Sequence, residues 1–89
     1  MLEDAKLGVT SALKLPKDVM LGEMLVSLVG RHCAVIENYR SILLYSDAQL
    51  KLQGKTSRLV ISGSRLVIEY YTSEEMKVSG LIQSVTFET

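Results

Sequence analysis

Eighty-nine residues suffice for one domain with a single core and are too few for two. An apolar fraction of 47% beside 22% charged residues belongs to a packed chain and excludes the charge-rich, apolar-poor composition of disordered segments. Ten basic residues balance ten acidic ones, which removes the electrostatic footprint of a general nucleic-acid binder and favours self-association.

In chain order, residues 1–12 have mixed character and are expected to form a loose leader or one weak helical turn. Glu3 and Asp4 stand where a signal peptide carries positive charge, and no stretch of the chain approaches the roughly 18 apolar residues of a membrane span. The expectation is a cytoplasmic protein. Pro16 fixes its own φ and biases Leu15 toward extended geometry, so a single domain over 13–89 is expected to begin around it.

From Met24 onward the apolar residues are chiefly Val, Ile, Leu and Tyr in short bursts with period-2 alternation, clearest in Leu50-Lys51-Leu52-Gln53. The pattern apolar-x-apolar-x-Gly recurs at Val26-Leu28-Gly30, Leu50-Leu52-Gly54, Leu59-Ile61-Gly63 and Met76-Val78-Gly80. Each occurrence reads as a strand followed by a residue that lets the chain turn or bulge. The glycines are too unevenly spaced for a solenoid. About seven strands are expected, over 24–29, 32–39, 41–45, 48–53, 58–62, 65–71 and 76–87, the last as one strand or two pieces.

Two details sharpen this pattern. Ser62-Gly63-Ser64 lies between two strand-like runs and predicts a tight antiparallel hairpin. In the last segment the apolar parity is even at Met76, Val78 and Ile82 but odd at Val85 and Phe87, so a β-bulge near Gln83-Ser84 is needed to return both to the core face. The fold expected is all-β: a small two-sheet antiparallel sandwich of the immunoglobulin-like class, with a small barrel as the alternative.

Catalytic chemistry is hard to build from this inventory. His32 and Cys33 are the chain's one histidine and one cysteine, and adjacent strand residues point to opposite faces, so the imidazole cannot draw a proton from the thiol. One cysteine makes no internal disulfide, and two Cys or His residues fall short of a zinc site, so no metal or cofactor is expected. Glu74-Glu75 sits in Thr72-Ser73-Glu74-Glu75-Met76, which looks like a solvated turn, and Lys51, Lys55, Arg58 and Arg65 read as outward residues that keep a sheet soluble. No phosphate loop, nucleophile elbow or dinucleotide fingerprint occurs. Neither a small-molecule substrate nor nucleic acid is expected as a partner.

Taken together, LKLPKDVML, the strand ending at Gly30, AVIENYRSILLYS and LVISGSRLVIEYYTSEEMKVSGLIQSVTFE resemble the YabP/YqfC family of sporulation proteins, its YqfC-like branch in particular. The resemblance runs from about Leu13 to Glu88 and is most specific at Leu15-Pro16-Lys17-Asp18-Val19, Ile36-Glu37-Asn38-Tyr39-Arg40 and Val78-Ser79-Gly80-Leu81-Ile82, with Val85 and Phe87. Many members carry His where this chain has Tyr39 and Gly where it has Ser41. The resemblance implies a non-enzymatic role in endospore formation on the mother-cell side, as a protein interaction module with a membrane-associated sporulation protein as partner. The polar cluster Glu37, Asn38 and Arg40 is the candidate partner contact, with Asn38 suited to shaping a turn. A homo-oligomer through an exposed sheet edge is also expected, and a self-assembling coat or scaffold subunit is the alternative.

Overall fold

The computed structural model describes residues 22–89. The expected leader over 1–12 and the lead-in around Pro16 lie outside the described residues. The chain forms six strands: β1 (Leu25–Val29), β2 (Cys33–Glu37), β3 (Ser41–Tyr45), β4 (Gln49–Gln53), β5 (Arg58–Tyr71) and β6 (Glu75–Glu88). All neighbours are antiparallel, in one open sheet of order β1-β2-β6-β5-β4-β3. The all-β expectation therefore holds, and the two layers are halves of one sheet.

The long strands β5 and β6 join those halves. The first part of β6 pairs with β2 from Glu75↔Glu37 to Ser79↔Cys33, and the first part of β5 pairs with β4 from Arg58↔Gln53 to Ser62↔Gln49. Cross-strand partners share a face. Ala34, Ile36, Met76 and Val78 from one half, and Leu50, Leu52, Leu59 and Ile61 from the other, are all fully buried in a single cluster. The same face of the sheet has thus closed on itself, and the 21 Å short dimension suits two layers about 10 Å apart. Leu66 and Ile82, beside the bends, complete the core together with Met24 and Tyr39.

The bends correct one expectation. Ser62-Gly63-Ser64 is not a hairpin, because β5 runs through it and both of its halves pair with β6. A Cβ on Gly63 would lie 2.0 Å from the carbonyl oxygen of Leu81, and one on Gly80 would lie 2.5 Å from that of Arg65. These glycines let two bent backbones approach, whereas Gly30 (φ +56°) and Gly54 do follow strands as expected. Each bend is also held from the side. Gly63 and Leu66 donate to the carbonyls of Ala48 and Asp47, and Gly80 and Ile82 donate to those of His32 and Arg31. The hairpin that joins β5 to β6 falls instead at Thr72-Ser73-Glu74, where the Thr72 hydroxyl accepts from the amides of Glu74 and Glu75.

The expected bulge is present. Ser62 pairs with Ser84 and Gly63 with Ile82, which leaves Gln83 as the extra residue and makes 75–88 one strand. Val85 then faces Ile61 and packs on the core. Phe87 faces Leu59 on the same side, yet it remains 56% exposed because, among the described residues, no second strand flanks that end of β6 on the side away from β5.

Candidate functional site

The turn after β2 forms as its polar residues dictate. Asn38 has φ of 67°, a conformation that Asn tolerates better than most residues, and this left-handed step lets the chain leave β2 toward β3. Its amide donates to the Glu74 carbonyl at 3.1 Å, and its Nδ2 donates to the Glu23 carbonyl at 2.9 Å. Tyr39 turns inward and is buried, and its hydroxyl donates to the Thr72 carbonyl. Burial, and then the neighbouring Tyr71 phenol, pushes the Tyr39 hydroxyl above its ordinary pKa, so it remains a donor at neutral pH. The signature turn is thereby locked onto the β5–β6 hairpin.

The three candidate contact residues do not converge. Glu37 and Asn38 line an open depression of about 400 Å³ together with Tyr70, Thr72, Glu74 and Glu75, and the Tyr70 hydroxyl donates to Glu75 Oε2 at 2.5 Å. Arg40 lies on the other side of the turn, in a shallow groove between Tyr39 and Tyr71. Replacing Asn38 by alanine should cost about 2 kcal/mol, since it forces a left-handed alanine and deletes the bond to Glu23. Asn38→Gly should cost about half of that, because only the bond is lost. Urea denaturation of the two variants checks the order.

His32 is exposed in the turn before β2, whereas Cys33 is buried at the start of that strand. Among the described residues no group of three or more His, Cys, Asp or Glu is placed to hold a metal ion, and no helix is long and apolar enough to cross a membrane. Two of the four basic residues between 51 and 65 are engaged locally. Lys51 lies 3.7 Å from Glu88, and Arg58 Nε donates to Gln53 Oε1 at 3.0 Å.

The most conspicuous surface is one that sequence reasoning did not single out. Leu28 and Val29 on β1, Leu43, Leu44 and Tyr45 on β3, and Val67, Tyr70 and Tyr71 in the second half of β5 are all exposed. They cluster on strands that end the sheet or run past their neighbours. Apolar alternation marks them as strand residues like any other, and only the strand order reveals that, among the described residues, no strand covers them.

An all-β domain with a bent sheet, a locked signature turn and apolar edges defines a small strand-rich scaffold. The YabP family model matches residues 21–89, and the chain belongs to this sporulation-associated family. It is 37% identical over 82 residues to the uncharacterized protein YqfC of Bacillus subtilis (strain 168), covering 92% of this chain and 88% of that protein. No solved structure matches it.

Proposed function

We propose that the chain acts in endospore formation as a non-enzymatic protein–protein interaction module on the mother-cell side, with a membrane-associated protein among its partners. The observation that carries this reading is the set of exposed leucines, valines and tyrosines along β1, β3 and the second half of β5. Exposed strand edges with large apolar side chains are sites where another chain adds or docks. Family membership supplies the setting, and the membrane-associated partner is what the resemblance of the chain implies. The alternative, a subunit that polymerises into a coat or scaffold layer, is disfavoured by the bulge at Leu43 in β3, which spoils one of the two terminal strands for regular pairing.

The test is the yield of heat-resistant spores from a strain lacking the chain, complemented by the wild type or by a Leu43→Lys, Leu44→Lys variant whose fold is verified by circular dichroism. The expected result is a loss of at least an order of magnitude that the wild type restores and the variant does not. Normal spore counts without the protein would overturn the proposal, and full rescue by the variant would remove β3 from the contact surface.

A further inference from the structure

We propose that β1 is a self-pairing edge, through which two copies of the chain join antiparallel about a two-fold axis at Ser27. This deepens the interaction reading above by naming a second copy of the chain as one partner.

Among the described residues, four stretches of strand lack a neighbour on one side: β1, β3, the second half of β5 and the end of β6. Three carry the devices that discourage strand addition. β3 is broken by its bulge at Leu43. The β5 edge bears Glu69 and is covered by Tyr45, whose hydroxyl accepts from the Ile68 amide at 3.1 Å and reaches the Leu66 carbonyl at 3.5 Å. The end of β6 follows its own bulge and closes on the Lys51–Glu88 pair. β1 alone has none of these. It reads Leu25-Val26-Ser27-Leu28-Val29, carries no charge or proline, and pairs with β2 without irregularity over its whole length.

What identifies the occupant is the symmetry of the surrounding sequence. In an antiparallel pair centred on Ser27, Leu25 meets Val29 of the second copy and Val26 meets its Leu28, while just beyond the strand ends Glu23, in the bend before β1, comes to the same end of the pair as Arg31 of the second copy, in the turn after β1, with the reciprocal contacts generated by the axis. Glu23 and Arg31 are both exposed, and both are positioned by their backbones. The Glu23 carbonyl accepts from Asn38 Nδ2 at 2.9 Å, and the Arg31 carbonyl accepts from the Ile82 amide at 2.7 Å. The register also keeps faces consistent. Val26 and Leu28, on the core side opposite Ile36 and Ala34, meet each other, and Leu25 and Val29 meet on the outer side. Every residue opposes one of the same parity, so the peptide groups turned away from β2 in one copy meet those turned away from β2 in the other. Sliding the register by one pleat to either side parts Glu23 from Arg31 and sets a leucine or valine against Ser27. A formal net charge of zero leaves no overall repulsion to oppose the pairing.

The experiment is multi-angle light scattering and sedimentation equilibrium on the full chain and on Glu23→Arg, Arg31→Glu and the double exchange. The wild type should have twice the 9.9 kDa mass of one chain and should not grow beyond it on concentration. Each single exchange places like charges together twice and should weaken the dimer about tenfold or more. The double exchange restores both pairs and should recover the wild-type dissociation constant, an outcome that neither a folding defect nor a different interface would produce. A single-chain mass at all concentrations would overturn the proposal and leave this edge to a strand of another protein. So would a mass that keeps rising with concentration, or a dimer indifferent to the exchanges. Because spore yield is not the readout, this proposal and the one it deepens can fail separately.

Discussion

Gly63→Ala should remove about a third or more of the domain's stability. A methyl group at this position would meet the Leu81 carbonyl oxygen at 2.0 Å, its carbon at 3.0 Å and the Ile82 Cα at 3.1 Å. All three are backbone atoms of the paired strand, so no side chain can swing away. Relief requires the β5–β6 ladder to separate at the point where it passes from one layer to the other. The shift would also strain the hydrogen bond from the Gly63 amide to the Ala48 carbonyl and pull Leu66 and Ile82 out of register with the core. Overpacking against fixed backbone is expected to cost about 3 kcal/mol or more, against a total of about 5–10 kcal/mol for a domain of this length. Gly30→Ala is the matched control. Beyond its own chain neighbours nothing lies within 4 Å of its added methyl, and only its φ of +56° is unfavourable, so it should cost about 1 kcal/mol. Urea denaturation of both variants decides the matter. A Gly63→Ala midpoint close to that of the Gly30 control would mean that the two long strands do not approach each other in solution as described.

The same glycine shows where the sequence is ambiguous. A glycine chosen for positive φ and one chosen because a Cβ has no room leave identical letters, and Ser62-Gly63-Ser64 between two apolar runs satisfies either requirement. Only the pairing of both flanking runs with one partner strand separates them. The bulge at Gln83 was legible because parity is a local property, and a change of parity within one strand has few physical remedies. The left-handed turn at Asn38 was legible for a similar reason, since the side chain that tolerates it stands at the end of a clear strand. The Tyr39 hydroxyl on Thr72 and the Tyr45 hydroxyl against β5 join residues 33 and 21 positions apart, and no spacing rule anticipates them. The polar cluster Glu37, Asn38 and Arg40 does fall at a turn, but its residues divide between two surfaces because Tyr39 is drawn inward between them.

A comparison within one cross-strand pair tests whether the core is where the fold places it. Leu59 and Phe87 lie directly opposite each other on β5 and β6 and point to the same side of the sheet. Hydrophobicity alone would make Phe87 the greater contributor, since truncating a buried aromatic removes more surface than truncating a buried leucine. The structure reverses that order. Leu59 is fully buried between β4 and β6 and packs into the common cluster, whereas Phe87 stands beyond the end of β2 and is 56% exposed. Leu59→Ala should therefore cost about 2–5 kcal/mol through lost transfer energy and the cavity left behind. Phe87→Ala should cost less than about 1 kcal/mol, in the range of surface substitutions. The two sites are neighbours, so the double variant should depart from additivity by the small part of the Phe87 ring that rests on Leu59. Thermal or urea denaturation of the dilute protein gives both values. If Phe87→Ala proved as damaging as Leu59→Ala, the end of β6 would have to be covered in solution, and the inner face of this half-sheet would extend further than the chain's own strands account for.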